Sequence, residues 1–284
     1  MIYNTANDWR DAPHKRIMLF GMSGLGKTFI SNILRDTGSW YHYSVDYRIG
    51  TRYMGEHIVD NFKRHAMDNP FLADLLRSDS IAIISNIGFE NLTPLSTYLG
   101  KPGDPNKGGL SFGEYQKRQA QHHAAEVSAM LDSSAFITRA HDIYGYDHFV
   151  CDTSGSVCEV VDGNNPNDPV LTALAPSLLP VWIKGDDDHI GELAQRFDRD
   201  PKPMFYCKDF LETAWKTYLT QHEVTADHVD PDHFVRWTYA RALNHRQPRY
   251  EAIANNWGVT LAASDVARVK TAQDFQDLIT DALT

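Results

Sequence analysis

Gly21-Met22-Ser23-Gly24-Leu25-Gly26-Lys27-Thr28 satisfies the pattern G-x-x-x-x-G-K-[ST], the spacing of a phosphate loop, or Walker A motif. Each residue type has a task there. Glycines let successive backbone amides turn toward phosphate oxygens, the lysine ammonium reaches the outer phosphates, and the threonine hydroxyl ligates Mg²⁺. The candidate nucleotide-binding set is therefore Gly21, Ser23, Gly24, Leu25, Gly26, Lys27, Thr28 and Phe29, with ATP and Mg²⁺ as expected cofactors. Two carboxylates extend the chemistry. His148-Phe149-Val150-Cys151-Asp152 is an apolar run ending in an acid, the Walker B arrangement, in which Asp152 orients the Mg²⁺ shell. Asp46 ends the aromatic run 40–45. It is placed either to take the proton of an acceptor hydroxyl or to cap a helix over 47–53. The residues alone leave the base open between Asp46 and Asp152.

These side chains need elements to hold them. The apolar run 17–20 reads as a strand entering the loop, and 28–34 as the helix leaving it, the context a phosphate loop requires. Further strands are expected at 40–45, 81–84, 148–152, 178–183 and 258–261, as short apolar or β-branched runs,. Helices are expected between them, one broken at Pro70 and one opened by Asp186-Asp187-Asp188 as its cap,. Alternating strands and helices predict an α/β fold with a doubly wound parallel sheet. The helix expected over 111–131 carries Tyr115, Arg118, Gln119, His122 and Glu126; a solvated helix face explains them better than a ligand-facing one.

Composition narrows the partners. The chain has 284 residues, 42% of them hydrophobic, enough for a sizeable core, and a formal net charge of −10. That charge counts against a broad nucleic-acid surface, which needs clustered Lys and Arg. No apolar run is long enough to span a membrane. The start lacks the order of a secretion signal, and Cys151, Cys158 and Cys207 form no C-x-x-C pair, so a reducing cytoplasm is the expected compartment. Asp227, His228, Asp230, Asp232 and His233 are the densest ligand-type cluster, but helix capping and surface placement account for them more simply than a metal.

Several segments in order resemble shikimate kinase and the wider group of small P-loop metabolite kinases. Arg246-Gln247-Pro248-Arg249-Tyr250-Glu251-Ala252-Ile253-Ala254 is similar to that family's R-x-P-L-Y-x-E-x-A stretch, and a Val-Thr strand and a last helix follow as they do there. The segment 180–183 with Leu193, Arg196 and 200–204 looks like its strand, lid and R-P-L-L stretch. The resemblance implies a nucleoside-monophosphate-kinase-like core over 1–88, 147–207 and 245–284, with helical insertions at 89–146 and 208–244. It implies that Arg196 touches nucleotide from a lid. Asp46 would meet the acceptor hydroxyl, Gly88 would stand in for a glycine run behind a core strand, and Arg246 would hold an anionic group, with Arg48 and Arg52 near the acceptor. Ser44 and Asn86-Ile87 depart from the family's pattern. The implied activity is ATP-dependent phosphorylation of a hydroxyl on a small anionic metabolite. A nucleotide-dependent switch or regulatory ATPase binding a protein partner is the alternative from another class; a nucleotide or polynucleotide-end kinase is the alternative within the same chemistry.

Overall fold

The computed structural model describes residues 1–284, the side chain of residue 187 excepted. The chain forms two compact units. The first comprises Met1–Val45, Glu126–Pro201 and Arg236–Thr284, and the second Asp46–Ala125 and Lys202–Val235. Residues 46–88, read with the core from sequence, group with the second unit, and 126–146 group with the first.

The elements begin with α1 (Ala6–Asp11), β1 (Arg16–Phe20), α2 (Lys27–Asp36) and β2 (Trp40–Ser44). There follow α3 (Val45–Arg48), which runs on as a π-helical turn over Ile49–Tyr53, then α4 (Gly55–Met67), α5 (Pro70–Arg77), α6 (Thr93–Leu99) and α7 (Phe112–Asp142). Next come β3 (His148–Asp152), α8 (Val157–Val160), α9 (Pro169–Leu174), β4 (Leu179–Lys184) and α10 (Asp187–Arg199). The chain closes with α11 (Lys208–His222), α12 (Pro231–Trp257), β5 (Val259–Ala262), α13 (Ala263–Val266) and α14 (Ala272–Ala282). Asp186 caps α10 by accepting from the His189 amide; the Asp187 side chain of the same expected cap lies outside the described residues.

All five strands lie in the first unit, in one parallel sheet of order β2-β3-β1-β4-β5. This is the doubly wound, P-loop-like arrangement expected from the alternation of elements. The central strands β1, β3 and β4 are buried along almost their whole length, as continuous apolar runs between two helical layers must be. Edge strand β5 alternates buried and exposed. In the register Leu19 and Ser44 both lie opposite Asp152, and Phe20 lies opposite Trp182, so these strands finish nearly level. The strand order reverses at β1, and ligand crevices open at such a switch point beyond the carboxyl ends of the strands. The loop 21–26 leaves β1 there.

Three expectations are corrected. Residues 81–84 form no strand: 81–87 carry no regular structure, and Ile84 is 84% exposed. The position beside β1 belongs to β3, whose pairing on both sides, four residues with β1 and five with β2, outcompetes a four-residue apolar run. Gly88 therefore does not follow a core strand; it pairs with Asn91 in an isolated antiparallel bridge, and the segment behind the strand next to β1 is Thr153-Ser154-Gly155-Ser156. Second, Arg246, which the residues alone equally allow as a surface arginine in a turn before Pro248, is buried inside α12, where packing of the helix outweighs the one backbone bond a proline removes. Third, the polar residues of α7 are not a solvated face. Tyr115, Arg118, Gln119, His122 and Glu126 are all at most 7% exposed, because each finds partners within the protein.

The second unit shows how that polarity is satisfied. Arg118 donates to Glu114 Oε1 at 3.0 Å, to Asn61 Oδ1 at 3.0 Å and to the Tyr98 carbonyl, a buried guanidinium with all three faces of its fork engaged. Trp215 stacks on Phe112 and takes Phe234 edge-on. The Asp and His cluster near 230 resolves into caps and ion pairs: Asp230 accepts from the His233 amide and pairs with Lys107, while Asp232 pairs with Lys101 at 2.6 Å.

His122 stacks on Phe205 with ring centroids 4.7 Å apart, and burial, aided by neighbouring His123, pushes its pKa down to about 4. An unfolded histidine titrates near 6.5. As pH falls from about 6.5 to about 4 the unfolded chain gains a proton that the folded chain refuses, so stability drops across that window, by roughly 3 kcal/mol in all. Urea unfolding midpoints of wild type should therefore fall more steeply over this range than those of His122→Phe. Parallel pH profiles would refute the assignment.

Candidate nucleotide-binding site

The phosphate loop is built by the short path from β1 to α2. Gly24 has φ +90°, a conformation that residues bearing a Cβ avoid, and an added Cβ would meet Arg196 Nη2 and Leu193 Cδ2 at 3.1 Å. This glycine therefore turns the chain and lets Arg196 of α10 approach the loop. Gly26 is the N-cap of α2 and brings no side-chain acceptor to its first-turn amides, so the positive end of a ten-residue helix faces the loop. Ser23, Gly24, Thr28 and Phe29 are exposed, whereas Leu25 and Lys27 are buried. Lys27 Nζ donates to the Gly21 carbonyl at 2.9 Å and to the Met22 carbonyl at 3.1 Å. The ammonium is thus held inside the curve of the loop by two neutral acceptors, which an anion would outcompete.

Asp152, one of the two acids that the sequence places at strand ends, meets the loop in the fold. Thr28 Oγ1 donates to Asp152 Oδ2 at 3.0 Å, and His42 Nε2 of β2 stands 3.6 Å from the same oxygen. A hydroxyl and a carboxylate, both hard oxygens at one point beside a phosphate cradle, fit Mg²⁺, which keeps several waters and takes few protein ligands. Thr28 and Asp152 would hold it, directly or through that water shell.

Behind β3 the chain is pinned against the loop. Thr153 donates through its amide and its hydroxyl to the Leu19 carbonyl, at 3.1 and 2.9 Å. Gly155 comes so close to Ser23 that a Cβ would lie 3.1 Å from the Ser23 amide nitrogen and nearer still to its hydroxyl. Only glycine permits that approach. Two buried charged groups fix the segment on either side. The Glu126 carboxylate, fully buried, accepts from the hydroxyls of Ser154 and Ser156. From α12, Tyr250 Oη at 2.6 Å and Arg246 Nη1 at 3.2 Å donate to the Gly155 carbonyl. Arg246 Nε pairs with Glu159 Oε1 at 2.7 Å, both side chains out of solvent. Burial works against the Arg246 charge, but the Glu159 carboxylate, with Tyr250 and Cys158 beyond it, raises its pKa and keeps it protonated.

The first unit thus brings together Gly21, Ser23, Gly24, Leu25, Gly26, Lys27, Thr28, Asp152 and Arg196. Arg246 belongs to the same unit, with a carboxylate of the chain itself on its guanidinium. Asp46, Arg48, Arg52 and Gly88 belong to the second unit. There Asp46 lies in the first turn of α3, so it sits within that helix, and Arg48 lies over the Tyr53 ring at 5.8 Å. Sequence reasoning missed His42, Gly155 and Glu159, and read Glu126 as part of a solvated helix face. Gly155 alone left a usable trace, a glycine three residues after the strand-ending Asp152.

The site also orders the thiols. Cys151, beside Asp152, and Cys158, beside Glu159, are buried, which raises both pKa values, that of Cys158 to about 12. Cys207 is half-buried. A thiol reagent at pH 8 should modify Cys207 first, and Cys151 and Cys158 only after urea unfolding, since the thiolate is the reactive form. Rapid modification of all three in the native protein would contradict this order. No known protein family and no curated protein matches the chain at a significant level.

Proposed function

We propose that the chain is a P-loop phosphotransferase that moves the γ-phosphoryl group of ATP to a hydroxyl of a small, polar, anionic metabolite. The observation that carries this reading is the meeting of Thr28 Oγ1 and Asp152 Oδ2 at 3.0 Å beside a loop whose lysine is already turned inward. When bound, ATP supplies the phosphoryl group and Mg²⁺ neutralises charge on its phosphates. The chain's own residues do the rest. Lys27 gives up its two carbonyl acceptors for phosphate oxygens, the α2 amides bind the phosphates, and Arg196 beside Gly24 offsets negative charge as it shifts during transfer. Asp152, held by Thr28 and flanked by His42, orients the magnesium shell. Asp46, in the first turn of α3, is the acceptor's base that the family resemblance suggests, the role a carboxylate fills in general-base assistance. Resemblance to small P-loop metabolite kinases supports the reaction class.

The test is a pooled-metabolite screen with γ-labelled ATP and Mg²⁺, using Lys27→Ala as the blank. Label transferred to a small alcohol by wild type and not by the variant supports the proposal. Nucleotide binding with no transfer to any pool would favour a nucleotide-dependent switch. Label on a nucleotide or a polynucleotide end would move the acceptor class within the same chemistry. Absence of nucleotide binding would overturn the site itself.

A further inference from the structure

The run Ile81-Ala82-Ile83-Ile84-Ser85-Asn86-Ile87 of the second unit belongs to no sheet, yet it is laid down as a strand is. Ile81, Ile83, Ser85 and Ile87 are half-buried, while Ala82, Ile84 and Asn86 are exposed, the period of two that an extended chain gives. Its inward side is packed: a Cβ on Gly50 would lie 3.1 Å from Ile87 Cδ1. Turns fix both ends. Asp79 takes φ +53° and the Ser80 amide donates to the Leu75 carbonyl at 2.9 Å, while Gly88 and Asn91 exchange backbone bonds at 3.1 Å. Between those turns the backbone is open. Among the described residues, the only hydrogen bond to these seven peptide groups runs from Asn91 Nδ2 to the Asn86 carbonyl, at 2.7 Å. Such a row of N–H and C=O groups is a template for a further strand, so what covers it is extended peptide. The usual guards of an open edge are missing, since 80–88 holds no charged residue and no proline,.

We propose that this segment is where two copies of the chain pair, antiparallel, about a two-fold axis through Ile84. In that register Ile81 meets Ile87, Ile83 meets Ser85 and Ile84 meets its own counterpart, so the half-buried face of one copy continues into that of the other. A two-fold contact needs a self-complementary strip of this kind. Each copy carries a formal net charge of −10, so copies repel in general and close where the chain is uncharged. Seven residues make a small contact, and the dimer is accordingly weak and concentration-dependent. The interface goes beyond the phosphotransferase reading and does not depend on it.

Sedimentation of the full chain over a concentration series, with backbone hydrogen exchange at its two ends, is the test. Wild type should pass from monomer to dimer, and amides within 81–87 should slow by at least about tenfold as the dimer fills. Ile84→Lys, at a position 84% exposed, should leave the urea midpoint unchanged. It sets two ammonium groups face to face and should weaken dimerisation by at least about tenfold, whereas Ile84→Val should dimerise as wild type does. Added NaCl should tighten the wild-type dimer by screening the repulsion between copies. A chain that stays monomeric, a dimer that Ile84→Lys leaves intact, or protection confined to amides outside 81–87 would overturn the proposal. So would protection of 81–87 in a monomer by an uncharged Thr-Val repeat peptide without self-pairing, which would give the edge to a foreign strand.

Discussion

Lys27→Ala should lower acceptor phosphorylation at least about a hundredfold, the scale on which loss of one preorganised donor to a developing anionic charge is felt, while the protein stays folded. The physical ground is where the ammonium sits. Lys27 is buried and donates to two loop carbonyls, so its charge is already positioned inside the cradle and needs little reorganisation to meet phosphate. Removing it leaves the Gly21 and Met22 carbonyls short of a partner, at a cost of about 1 kcal/mol each or less once water enters. Stability should therefore change modestly and turnover drastically. Steady-state rates beside urea unfolding curves check both halves. A variant that turns over as wild type would remove the nucleotide assignment altogether.

Glu159→Ala should cost about 3–5 kcal/mol of stability, because it leaves the Arg246 guanidinium buried without its counter-charge. The pair lies 2.7 Å apart with both side chains out of solvent, and Arg246 also supports the Gly155 carbonyl against the phosphate loop. Replacing both partners by apolar residues, Glu159→Leu with Arg246→Met, should recover much of the loss, since neither buried charge of the pair is then left without the other. The family resemblance gives Arg246 another task, holding an anionic group on the acceptor. That role predicts that Arg246→Ala raises KM with an unchanged urea midpoint. A strut predicts a lowered midpoint and a lowered kcat, because the Gly155 segment would loosen beside Ser23. Midpoints of Glu159→Ala and Arg246→Ala within about 0.5 kcal/mol of wild type, the ordinary range of surface changes, would rule out the strut.

The local parts of the candidate nucleotide site are legible in the chain because each depends on residue type at fixed spacing. Gly21, Gly24 and Gly26 all take positive φ, the apolar run 17–20 is a central strand, and Asp152 ends the strand beside it. Those are short-range requirements of backbone geometry and burial. The misreadings share a different cause. The run 81–84 looked as strand-like as 148–152, but which apolar run takes the place next to β1 is a competition over registers between distant segments. The polar face of α7 looked solvated because partners such as Asn61 for Arg118, or Ser154 and Ser156 for Glu126, lie far away in sequence.

What the sequence determined by itself is the phosphate loop, the strand before it, the helix after it, and the alternation that makes a parallel α/β sheet. Hydrophobic period and glycine placement are enough for that. Only the tertiary structure decided that Asp152 meets Thr28 and that Gly155 rests on Ser23. It also decided that Arg246 faces Glu159. Those contacts join residues 23 to 246 along the chain through buried charges, and a buried charge is stable only where a partner converges on it. Convergence is a property of packing, and no local pattern encodes it.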